Sequence, residues 1–175
     1  MTGGSNGPSV VLVGPPGSGK STVGAIVAER LGAAYRDTDA DIVATAGKPV
    51  ADIFLDEGEP HFRALEAAAV RTALVEHEGV LSLGGGAILR EDTRALLATH
   101  PVVFLDVTLH DAVKRVGLDA PRPLLIGNPR ARWRELMAQR RPLYSEVARV
   151  VVATDGLTPE QVADAVLTAL ELEKA

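Results

Sequence analysis

The chain has no cysteine, which excludes a disulfide scaffold, a thiolate zinc site and a cysteine-nucleophile enzyme. It has no apolar run of the length needed to cross a bilayer, so no membrane span is expected. Positive charge is in deficit. Lys and Arg number 18 against 23 Asp and Glu, a formal net charge of −5 that argues against a nucleic-acid-binding surface. Met1 to Pro8 lacks a basic n-region and an apolar core, so it reads as a flexible Gly/Ser-rich lead-in and not a signal peptide. There is no internal repeat and no sign of a second domain. With 46% hydrophobic and 23% charged residues, positions 9–175 read as one globular domain, expected to be a monomeric cytoplasmic enzyme.

What is present begins at Gly14-Pro15-Pro16-Gly17-Ser18-Gly19-Lys20-Ser21, a complete G-x-x-x-x-G-K-S phosphate loop. The β-branched run Val10–Val13 precedes it, as a buried strand would. Ser21–Leu31 follows, with Val23, Ile26, Val27 and Leu31 at helical spacing. The glycines let backbone N–H groups curl around an anion, and the helix N-terminus adds partial positive charge. Gly17, Ser18, Gly19, Lys20, Ser21 and Thr22 are therefore candidate nucleoside triphosphate ligands. Lys20 is placed to reach the β- and γ-phosphates, and the Ser21 hydroxyl to ligate Mg²⁺.

The rest alternates strand and helix: strands at 33–37, 80–83, 102–106 and 149–153, helices at 39–45, 50–56, 59–78, 92–98, 111–116, 130–147 and 159–172. Such alternation implies a parallel sheet covered on both faces. In the 59–78 helix, Phe62, Leu65, Ala69, Ala73 and Val75 are assigned to the apolar side. Gly117–Pro129 has no hydrophobic period and holds Pro121, Pro123 and Pro129; so long a stretch without structure suggests a lid.

Several residues carry possible chemistry. Asp37 and Asp39 flank Thr38 just past the second strand, where ligands collect in α/β sheets. One carboxylate would serve Mg²⁺ and the other accept a proton, although Thr38 or Asp39 also suits a helix N-cap. Gly84-Gly85-Gly86 follows a buried strand, and three glycines suggest close approach of backbone to a ligand. Arg63 has Glu59 at i−4 and Glu66 at i+3, so both helix-face ion pairs and capture of a carboxylate fit its spacing. Arg122 sits between two prolines with no helical partner, as would suit an arginine closing on phosphate. Val102–Asp106 has the shape of a Walker B strand, which makes Asp106 a rival to Asp37 for the metal. Arg130, Arg132 and Arg134 read as a solvated helix face. His61, His77, His100 and His110 show no ligand spacing, and with the lone Trp133 read as surface or packing residues.

The order of further motifs is more discriminating. It runs Asp37-Thr38-Asp39, Ala51-Asp52-Ile53-Phe54, Phe62-Arg63-x-x-Glu66, Leu83-Gly84-Gly85-Gly86-Ala87, Arg122-Pro123-Leu124-Leu125 and Arg140-x-Pro142-Leu143-Tyr144. From about Ser9 to about Leu172 the chain resembles the shikimate kinase family. The resemblance implies a three-layer α/β/α phosphate-loop kinase fold, with a five-stranded parallel sheet in order 2-3-1-4-5. It implies Mg²⁺-dependent transfer of the ATP γ-phosphoryl group to the 3-hydroxyl of shikimate, with an acceptor-binding region at about 38–66 and a lid at about 117–129. In that pattern Lys20, Asp39 and Arg122 are catalytic, and Ser21 and Asp37 serve Mg²⁺. Asp39, Arg63, Gly84, Gly85, Gly86 and Arg140 bind shikimate, while Arg115 and Pro159 belong to the ATP site. It demotes Asp106, since the Walker-B-like position falls near Ser82. One departure stands out, Ala153 where the family usually has Asp before the adenine loop. A gluconate kinase is the alternative, and a catalytically silent nucleotide-binding module would lack Lys20, Asp39 or Arg122.

Overall fold

A computed structural model of the protein describes residues 7–116 and 129–174. Its elements are β1 (Val10–Val13), α1 (Lys20–Leu31), β2 (Tyr35–Asp37), α2 (Thr38–Ala46), α3 (Val50–Glu76), β3 (Val80–Ser82), a 3₁₀ turn (Ala87–Leu89), α4 (Glu91–Leu97), β4 (Val102–Asp106), α5 (Leu109–Val116), α6 (Pro129–Val147), β5 (Val150–Ala153) and α7 (Pro159–Lys174). The strands form one sheet in order β2-β3-β1-β4-β5, and every pairing is parallel.

Strand alternation builds the two cores. Val11, Val13, Leu81, Val102 and Phe104 point to one face, where Val70 and Leu74 of α3 and Trp133, Met137 and Tyr144 of α6 cover them. Val10, Leu12, Val80, Val103 and Leu105 point to the other, under Val23 and Val27 of α1 and Val162, Val166 and Leu170 of α7. Each such side chain contributes about 1.5–3 kcal/mol by leaving water. Both faces being covered, the strands read as continuous apolar runs. A third, smaller cluster of Ile42, Ile53 and Phe62 joins α2 to α3.

Four local expectations change. α3 runs through both segments expected at 50–56 and 59–78, but Gly58 (φ 85°, ψ 166°) breaks it, with Pro60 in the first turn beyond. Val75 is 81% exposed, and Leu74 takes its place in the core. Thirteen residues past Phe62 is about 220° around a helix, so the period itself turns Val75 outward. Pro129, expected in the lid, opens α6. Gly7 and Pro8, placed in the lead-in, are buried. Trp133 packs into the core, and Arg130, Arg132 and Arg134 are exposed as expected.

Candidate active site

β1 delivers the chain into the phosphate loop. Gly17 and Gly19 have φ of 85° and 90°, left-handed backbone that other residues avoid, and this curls the loop before α1 begins. Lys20 opens α1. Its Nζ donates to Gly14 O at 2.6 Å and Pro15 O at 3.1 Å, arching over the loop. Burial lowers its pKa from 10.5 to about 8, against the pull of Asp39 and Asp37 that favours the ammonium.

A cavity of about 710 Å³ lies in front of the loop. It brings together Gly17, Ser18, Gly19, Lys20, Ser21 and Thr22 with Asp37, Asp39, Gly84, Gly85 and Pro159. Leu157 and Val162 complete the Pro159 end as an apolar slot, two residues that the sequence pattern did not single out. Pro159 is held in place by a reciprocal cap: Thr158 Oγ1 accepts the Gln161 N–H at 3.1 Å and Gln161 Oε1 the Thr158 N–H at 2.9 Å.

Parallel register explains the carboxylates. Asp37 pairs with Ser82, which also pairs with Leu12 of β1, so three strand ends meet beside the phosphate loop. Asp37, and neither Thr38 nor Asp39, is the N-cap of α2: its Oδ1 accepts the Asp39 N–H at 2.9 Å. Asp37 is the last extended residue, which is the geometry an N-cap requires. Its carboxylate keeps further acceptor capacity, so capping and metal service do not compete. Thr38 is buried, with Oγ1 donating to Ser82 O at 3.5 Å. Burial, then the Asp37 charge, pushes the Asp39 carboxyl above its usual range, while Lys20 and Arg63 pull it back.

The far wall is built on the glycine loop. A Cβ on Gly84 would stand 2.7 Å from Asp39 Oδ1 and 3.0 Å from Glu66 Oε2, so a side chain there would displace the Asp39 carboxylate and crowd that of Glu66. A Cβ on Gly86 would fall on the Arg63 guanidinium, and one on Gly85 would lie 3.6 Å from Arg140 Nη1. Arg63 Nη1 donates to Glu66 Oε1 at 2.8 Å and Nε to Glu59 Oε2 at 3.3 Å. The Arg63–Glu66 pair is largely buried, with side-chain exposures of 13% and 4%. It therefore differs in kind from a surface pair worth about 0.2–0.5 kcal/mol. Burial raises the Glu66 carboxyl, and Arg63 opposes that shift. Arg140 is buried at 4% exposure. Arg63, Gly86 and Arg140 thus stand immediately behind Gly84 and Gly85, which line the cavity.

Asp106 is elsewhere. It accepts from Arg141 Nη2 at 2.9 Å and pairs in register with Ala153, and it does not line the cavity. Thr154 donates to its carbonyl through both N (2.9 Å) and Oγ1 (2.9 Å), which binds β4 to the loop after β5. Arg122 and residues 117–128 lie outside the described residues, as does the Arg115 side chain. Among the described residues, no group of three or more His, Cys, Asp or Glu could hold a metal, and no helix is long and apolar enough to cross a membrane.

A phosphate loop at one end of a cavity and an arginine-backed glycine wall at the other, on a sheet of this order, define a phosphate-loop kinase for a small acceptor. Comparison narrows the class. The family model described as "SKI: Shikimate kinase" matches residues 16–171, and the chain belongs to that family. It is 70% identical over 168 residues to a shikimate kinase of Streptomyces avermitilis, covering 96% of this chain and 98% of that one. It is similar to the solved shikimate kinase of Acinetobacter baumannii in complex with shikimate, with TM-score 0.91, 34% identity and coverage of 98% and 96% of the two chains. A gluconokinase of Sinorhizobium meliloti, at 21% identity, TM-score 0.58 and coverage of 95% and 93%, shares the fold alone.

Proposed function

We propose that the protein transfers the γ-phosphoryl group of ATP to the 3-hydroxyl of shikimate, a step toward the aromatic amino acids. Family membership carries the reaction, and the cavity that joins the phosphate loop to Asp39 and the glycine wall carries the geometry. The phosphate-loop amides and Lys20 hold the β- and γ-phosphates, and the apolar slot of Leu157, Pro159 and Val162 takes the base. The shikimate carboxylate meets Arg63 and Arg140 behind the glycine loop, whose N–H groups bind the acceptor. Region 38–66, with its own small core, supplies this acceptor wall.

Asp39 orients the acceptor hydroxyl and takes its proton as the oxygen attacks the γ-phosphorus and ADP departs. The fit to Mg²⁺ rests on the donor set: Ser21 hydroxyl and Asp37 carboxylate line one cavity, and Mg²⁺ typically needs only one or two such protein ligands besides phosphate and water. When bound, Mg²⁺ would neutralise charge between the β- and γ-phosphates. Arg122 adds positive charge to the transferring group and Arg115 flanks the adenine. These two roles, and a lid over 117–128, rest on sequence motifs alone. We also propose a cytoplasmic monomer without nucleic-acid partners, supported by the net charge of −5 and by both substrate walls arising from one chain.

A coupled ADP-release assay across shikimate, gluconate, AMP and CMP tests the reading. Turnover with shikimate and background rates with the rest are expected; preference for gluconate would overturn it.

A further inference from the structure

The glycine loop has a rigidity problem. A side chain at Gly84 would push aside the Asp39 carboxylate and crowd Glu66, and one at Gly86 would push aside the Arg63 guanidinium. Three consecutive glycines are nevertheless the most permissive backbone a chain can have. A loop that must present N–H groups in a fixed direction therefore needs to be held from outside.

Tyr144 of α6 does this. It is fully buried, and its hydroxyl donates to the Gly85 carbonyl at 2.6 Å. Its ring lies against Phe104 of β4, with centroids 4.9 Å apart and a 31° tilt. Burial pushes its pKa up to about 12, so it remains a donor at neutral pH. Arg140 is one turn earlier on the same helix face, which lets α6 reach the Gly85 region with two buried side chains. No peptide in the described structure is cis, so fixing the Gly85 carbonyl on the Tyr144 side fixes the Gly86 N–H on the opposite side.

We propose that Tyr144 is a positioning residue for the acceptor, its hydroxyl clamping the Gly85 carbonyl so that the Gly85–Gly86 peptide keeps its N–H aimed away from the core. The proposal rests on the reading that the glycine loop binds shikimate. It assigns Tyr144 no contact with substrate.

Tyr144→Phe removes the hydroxyl and keeps the ring. With shikimate and ATP as substrates, the acceptor KM rises about fivefold to tenfold, the weight of one hydrogen bond. The KM for ATP stays within about twofold, since the phosphate loop is untouched. Phe104→Leu is the control, because it loosens the same packing and leaves the hydroxyl in place. It lowers Tm with the acceptor KM within about twofold of wild type. An unchanged acceptor KM in Tyr144→Phe, or an equal rise in Phe104→Leu, overturns the positioning role. Failure of the wild-type enzyme to turn over shikimate would instead overturn the acceptor reading.

Discussion

The central strand β1 has two neighbours, β3 and β4, and both are short apolar strands with buried side chains. Only one of them leads into the cavity. β3 ends at Ser82, in register with Asp37, and continues into the glycine loop that closes on Asp39, Glu66 and Arg63. β4 ends in the more suggestive residue, Asp106, yet that carboxylate is taken by Arg141 and its carbonyl by Thr154. The β4 side thus serves as a brace between α6 and the loop after β5. Strand shape alone says little about function here; position beside the site-bearing strand ends decides it.

Three perturbations sharpen the contrast. Asp39→Asn is expected to be the largest, lowering kcat roughly 10²–10⁴-fold, the range for loss of a general base, with ATP affinity nearly intact. A near-normal kcat in steady-state assays would remove Asp39 from the chemistry. Arg63→Lys comes next: it keeps a charge beside Glu66 and loses the planar two-sided contact. The acceptor KM should rise about tenfold, as removal of uniform binding would require, while kcat changes less. A fall in Tm with an unchanged acceptor KM would return Arg63 to a purely structural ion pair. Asp106→Ala should be the smallest. Its pair with Arg141 is partly exposed, with side chains 31% and 43% accessible, so roughly 0–1 kcal/mol of stability is at stake. Chemical denaturation and steady-state kinetics would show that loss with kcat almost unchanged.

Much of this was legible in the sequence, for physical reasons. The phosphate loop and its flanking strand and helix are local patterns, and the parallel sheet follows from strand–helix alternation. Asp37, Asp39 and the triple glycine announced themselves because short-range chemistry rarely needs two carboxylates or three glycines in such a run. The resemblance placed Asp39 and Gly84 in one site, but their close approach to each other and to Glu66 has no signature in residue spacing, because α2, α3 and β3 separate them. Tyr144 appeared only as part of a motif; its hydrogen bond to Gly85 spans 59 positions and leaves no local signature. Val75 is apolar in type, yet its angular position on α3 faces solvent, which residue type alone does not reveal.

The two sides of β1 are tested most directly by titrating Mg²⁺ in steady-state assays of Asp37→Ala and Asp106→Ala in parallel. Asp37 ends its strand beside the phosphate loop, whereas Asp106 is turned into the brace. The half-saturating Mg²⁺ concentration should rise about tenfold to a hundredfold in Asp37→Ala, the scale for loss of a water-linked partner of a metal, and stay within about twofold in Asp106→Ala. A larger Mg²⁺ defect in Asp106→Ala would contradict the account and return the metal to the β4 side.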